Sequence, residues 1–150
     1  MDAEPLRLSL RCDGLGVELR ATIEPAPLGR PLALGRRASV PLMHAKRDGQ
    51  ACFAYVDELT GAAASGQVSG EPGEIFAFGG DPSGPGGERR GQLVFVYGPD
   101  NLFVEPLDLG LRERPYRRVG TIDDVPALAR LAEHIWRHGS QPVELELSAP

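Results

Sequence analysis

The chain has little of what would announce a chemistry. Two cysteines, three histidines and one tryptophan occur in 150 residues. No run approaches the roughly 20 apolar residues of a membrane-spanning helix. Met1-Asp2-Ala3-Glu4 lacks the basic start and apolar core of an export signal, so the expected location is the cytoplasm. With two cysteines, Cys12 and Cys52, in different expected strands and no export signal, buried reduced thiols are expected rather than a disulfide. Basic residues number 16 against 21 acidic ones, a net charge of −5. That balance argues against direct binding of nucleic acid or of an anionic membrane, both of which need a basic surface. An acidic protein suits a basic partner instead.

Standard catalytic signatures are also missing. No Gly-x-Ser-x-Gly motif is present, and both cysteines lie in apolar segments, where thiols are usually inert. The carboxylate pairs Asp57-Glu58 and Asp123-Asp124 read as a strand end and a helix cap rather than an acid–base pair. Gly79 to Gly91 is rich in glycine and proline but has no Gly-Lys-Ser/Thr and opens no helix. It reads as a mobile surface loop, not a phosphate cradle. Ser39 and His44 behind Gly35-Arg36 do not have the spacing of a phosphopeptide reader. No catalytic residue, cofactor or metal is assigned, and the chain is expected not to be an enzyme.

What is present is patterned. Val125, Leu128, Leu131, Ala132, Ile135 and Trp136 fall at steps of three and four, the stripe of an amphipathic helix. Asp123 or Asp124 caps it, Pro126 fits its first turn, and Gly139 ends it. Val143, Leu145 and Leu147 then alternate with Glu144, Glu146 and Ser148, a strand with one buried face. Near the start, Leu6, Leu8 and Leu10 alternate with polar residues, as do Val17, Leu19, Ala21 and Ile23, with Asp13-Gly14 between them. That is a hairpin pattern. Further strands are expected at Ala51 to Val56, Ile75 to Phe78 and Leu93 to Tyr97. Gly98-Pro99-Asp100-Asn101 would turn the last of these into a partner at Leu102 to Val104. The expected architecture is one α+β domain over residues 1–150, a mostly antiparallel meandering sheet with one principal helix and a final strand.

Two further clusters bear on binding. His134 and His138 stand four apart, so their rings share a helix face in the manner of a metal pair. Glu133 and His44 are the conceivable further ligands, and a closed site needs about four. Helix-end histidines favoured by the dipole are the simpler reading. Arg112, Arg114, Arg117 and Arg118, with Tyr116 among them, read as solvated charge beside a sheet edge.

The C-terminal third carries Pro115-Tyr116, the helix Val125 to His138, the turn Gly139-Ser140-Gln141-Pro142, and the strand start Val143-Glu144-Leu145. In these residues, and more weakly over Gly49 to Tyr55, the chain resembles a family of bacterial immunity proteins. That family protects cells from their own polymorphic toxins and is often found beside nucleic-acid deaminase toxins. Leu145 or Leu147 stands where many members carry a tryptophan. The resemblance implies a non-catalytic protein that occludes a cognate toxin. The partner-binding residues expected on that basis are the acidic Asp57, Glu58, Glu71 and Glu74, with the nearby aromatics Tyr55 and Phe76. The alternative is an adaptor, secretion chaperone or structural subunit of a bacterial assembly, which predicts a homo-oligomer or a long exposed strand edge.

Overall fold

The structure, a computed structural model, describes residues 4–24, 37–46, 49–56, 69–78, 91–102, 104–107, 110–113 and 116–149. The first hairpin forms as its alternation requires. Strand β1 (Leu6–Cys12) and strand β2 (Val17–Ile23) pair antiparallel, with Leu10 opposite Leu19 and Leu8 opposite Ala21. A 3-10 turn at Asp13–Leu15 joins them and closes on Gly16, whose φ of 63° suits a residue without Cβ.

The sheet is not the open meander expected from the sequence; it closes into a barrel. Its other strands are β3 (Arg37–His44), β4 (Gly49–Tyr55), β5 (Glu74–Phe78), β6 (Gln92–Asn101), β9 (Tyr116–Ile122) and β10 (Gln141–Ser148). Around the barrel the order is β1-β10-β3-β4-β6-β5-β9-β2, every neighbouring pair antiparallel. Two strands make the closure, each through two long-range pairings. β10 inserts between β1 and β3, and β9 bridges β2 and β5. Alternation along each strand sets which face is buried, but it carries no information on which strands meet at the seam. A separate two-stranded ribbon, β7 (Val104–Leu107) with β8 (Gly110–Glu113), stands outside the barrel order.

The second expected hairpin is also corrected. β6 does not turn at Gly98-Pro99-Asp100-Asn101 but runs through it, and Asn101 pairs with Gly49. Side chains hold the extension. The Asp100 amide donates to Gln50 Oε1 at 3.0 Å, and Asn101 exchanges hydrogen bonds with the Gly70 backbone at 2.7 and 2.8 Å. These contacts replace the turn that the residue types favour.

Helix α1 spans Val125–His138, as its periodicity predicts. Asp124 is the cap: its carboxylate accepts the Ala127 amide at 3.0 Å. At the other end the Gly139 amide donates to the Ile135 carbonyl, with φ at 95°. The helix contacts β2, β3 and β6, which are not neighbours in the barrel, so it lies across the barrel's mouth. Its buried residues Leu128, Leu131, Ala132 and Ile135 join the inward side chains of the strands, such as Leu8, Leu19, Ile75, Phe95 and Leu145, in one apolar core. Eight strands leave an interior just wide enough for side chains to fill. No helix among the described residues is long and apolar enough to cross a membrane.

A second apolar cluster lies on the outside of the barrel wall. Ala51, Phe76, Val94 and Val96 project outward from β4, β5 and β6 and are completely buried. The backbone at Gly70 lies against Phe76 and Val96, where a Cβ would collide with the Phe76 ring and Val96. Glycine is required there by close approach rather than by an unusual backbone angle.

Candidate partner-binding face

The outer face of β4, β6 and β5 gathers several of the expected partner-binding residues. Register places Phe53 opposite Val94 and Val94 opposite Phe76, so the two phenylalanines share one rung. Tyr55 lies two residues further along β4 on the same face. Phe53 and Tyr55 are both partly exposed, and their rings meet edge to face, with centroids 5.4 Å apart and planes at 88°. Such pairs are a favourable aromatic arrangement. Phe76 is not an exposed anchor: at 0% exposure it is the floor on which Phe53 packs.

The acidic residues divide. Glu71 is exposed. Glu74 has only 16% of its side chain exposed and is already paired, with Arg118 at 2.6 Å. It also accepts the Glu71 amide at 2.7 Å. A carboxylate so engaged shapes the start of β5 rather than offering charge to a partner. Asp57 and Glu58 lie outside the described residues, as do residues 79–90 of the expected loop. Arg118 reaches Glu24 as well, at 3.3 Å, so this member of the arginine cluster clips β9 to its neighbours.

The histidines do not converge. His44 faces inward at the end of β3, level with Cys52 across the β3–β4 pair. Its Nε2 is 2.6 Å from the Tyr97 hydroxyl, and its ring meets Trp136 of α1 edge to face at 4.6 Å. Its Nδ1 is buried with no hydrogen-bond partner. Burial, helped by the Lys46 charge, lowers the His44 pKa from its ordinary 6.5. Burial also pushes both Tyr97 and Cys52 up to about 12, so hydroxyl and thiol stay protonated. Such a thiol is a poor nucleophile. Lys46 Nζ sits 5.1 Å from the centre of the Trp136 ring, a cation–π contact on a side chain 47% exposed. His134 and His138 instead meet on the outward side of α1, ring centres 4.5 Å apart and planes tilted at 41°. No group of three or more metal-ligating side chains occurs among the described residues.

Cys12 and Cys52 are both buried and free. Their strands, β1 and β4, are separated by β10 and β3, so they do not meet as a cross-strand pair.

One arrangement escaped the sequence reading. The outward residues of β2, β1, β10 and β3 form an ion-pair lattice. Arg11 binds Glu144, Arg37 binds Glu146 at 2.7 Å, and Arg7 binds Asp123 at 2.9 Å. Arg7, Arg11, Arg37, Glu144 and Glu146, but not Asp123, line a depression of about 570 Å³ together with Ser9 and Arg20. Each alternation was visible, but the partnership of Arg11 with Glu144, 133 residues apart, depends on the seam that closes the barrel.

No family model matches the sequence, and no curated protein does. Among solved structures, the chain is similar to that described as McbB in complex with tryptophan. The TM-score is 0.60 at 16% identity, over 95% of this chain and 44% of that one. At that identity the likeness is one of fold. The chain spans less than half the length of that protein.

Proposed function

We propose that the chain is a non-catalytic binding protein that occludes a protein partner, in the manner of an immunity protein covering the active-site cleft of a cognate bacterial toxin. The observation that carries this reading is the Phe53–Tyr55 pair. Two aromatic rings stand partly exposed on a wall whose underlying side chains are completely buried. Rigid aromatics on a packed floor are the common anchors of protein interfaces, because little side-chain entropy is lost on docking. The net charge of −5 supports association with a basic partner, such as a toxin that handles nucleic acid. A cytoplasmic location belongs to this reading. The resemblance of the C-terminal third to immunity proteins gives the partner class, and a nucleic-acid deaminase is the named candidate.

The adaptor reading is weakened where it calls for a long strand edge, since the eight barrel strands have none. A small-ligand reading would look to the barrel mouth at His44, Lys46 and Trp136. Those side chains pack on one another, and the interior behind them is filled by the apolar core.

Co-expression with the protein encoded beside this chain tests the proposal. A one-to-one complex that relieves a neighbour's toxicity is the expected result. Absence of both complex and rescue overturns it.

A further inference from the structure

We infer that the outward face of α1 is a binding site for a diphosphate group, free or as part of a nucleotide. Arg130, His134, Arg137 and His138 follow one another at steps of four, three and one, so they fall on one side of the helix. Arg130, Arg137 and His138 are exposed, and His134 is partly exposed. All four line one surface groove of about 400 Å³, with Glu133 and Ala129 completing its lining.

Pairing sets these arginines apart. Among the described residues, ion pairs engage Arg7, Arg11, Arg20, Arg37 and Arg118, and none engages Arg130 or Arg137. A guanidinium without a carboxylate partner keeps its fork of N–H donors for an external oxyanion, which it can bind through two parallel hydrogen bonds. The depression on the outer face of β1 and β10 also has arginines, but Glu18, Glu144 and Glu146 line it with them. In the helix groove two guanidinium groups share the lining with one carboxylate.

The spacing selects the ligand. Arg130 and Arg137 are seven residues apart, about 10 Å along the axis at a rise of about 1.5 Å per residue. A single phosphate engages one fork, whereas two linked phosphoryl groups reach both. His134 lies between the two arginines in sequence, and its imidazole adds an N–H donor. Two effects oppose an anion here: the negative end of the helix dipole and the net charge of −5. Both are weak at an exposed site, because salt screens charges beyond about 8 Å. Direct charge-assisted hydrogen bonds outweigh them.

Titration calorimetry of the full chain tests the site, with pyrophosphate, adenosine diphosphate and inorganic phosphate as separate ligands and no added divalent ion. Saturable one-to-one binding of the first two is expected, with inorganic phosphate weaker. Arg130→Gln and Arg137→Gln should each weaken pyrophosphate binding about tenfold, through loss of a charge-assisted contact. Glu133→Gln should tighten it about two- to threefold, since it removes the one opposing charge of the groove. Arg37→Gln, on the ion-pair lattice, should leave the affinity unchanged. Circular dichroism checks each variant for an intact helix. Equal binding of pyrophosphate and adenosine diphosphate would assign recognition to the phosphates alone, and tighter binding of the second would assign the site to a nucleotide. Absence of saturable binding, or equal affinity in the wild type and both helix arginine variants, overturns the site. Inorganic phosphate binding as tightly as pyrophosphate overturns the diphosphate assignment. A loss in Arg37→Gln equal to that of the helix variants also overturns the site, because binding would then follow overall charge.

Discussion

The Tyr97 hydroxyl lies 2.6 Å from Nε2 of His44, joining β6 to β3 across the barrel mouth beneath Trp136. Burial keeps the Tyr97 hydroxyl protonated and disfavours the charged imidazole, so the two share a hydrogen bond between neutral groups. Tyr97→Phe removes the hydroxyl and leaves His44 Nε2 unpaired. The expected loss is about 1–2 kcal/mol of folding stability, read from urea denaturation at neutral pH.

The same histidine gives the fold a pH dependence. Its folded pKa lies below the 6.5 of the unfolded chain, mainly through burial. Above pH 6.5 both states hold it neutral and its contribution is intact. As pH falls from 6.5 through the lowered folded value, the unfolded chain takes up the proton first, so stability is lost. Stability measured against pH should fall across this acid window in the wild type. The slope should be shallower in His44→Phe. Equal slopes would remove His44 from the account.

Cys52 should behave as a core residue. With its thiol pushed up to about 12 by burial, it should resist thiol reagents near neutral pH in the native protein and react only on unfolding. Rapid native-state labelling of Cys52, located by peptide mapping, would contradict its placement inside the wall.

Gly120 tests the closure of the barrel at β9. A Cβ there would collide with the Thr22 carbonyl across the β2–β9 pair and with Ile23. Gly120→Ala should destabilise by about 1–3 kcal/mol, the usual cost of forcing atoms into packed space. Asp124→Ala, which removes only the helix cap, should cost about 1 kcal/mol. Both are read by thermal or urea unfolding.

The local elements were legible because their residues repeat at the period of their secondary structure. The helix from Val125 to His138, the β1–β2 hairpin and the alternation of β10 follow from spacing alone. The barrel did not, because Leu10 opposite Leu145 is a pairing between chain ends, and no local pattern specifies it. Gly98-Pro99-Asp100-Asn101 has the composition of a turn, so residue types alone end β6 too early. Gln50 and Asn101 supply hydrogen bonds that hold it extended. Of the expected partner-binding residues, Tyr55 does stand on an outer face, while Phe76 is sealed beneath the Gly70 backbone. Phe53 lies in the apolar run Ala51 to Val56, whose composition is that of a core strand. Its outward direction follows from register alone.

The most direct test of the binding account is the affinity of the chain for its co-purifying neighbour before and after Phe53→Ala with Tyr55→Ala. Circular dichroism and unfolding would confirm an intact barrel. The account predicts that the double variant loses at least a hundredfold in affinity and fails to relieve the neighbour's toxicity. Undiminished binding by a folded double variant would contradict it and move the interface to another face.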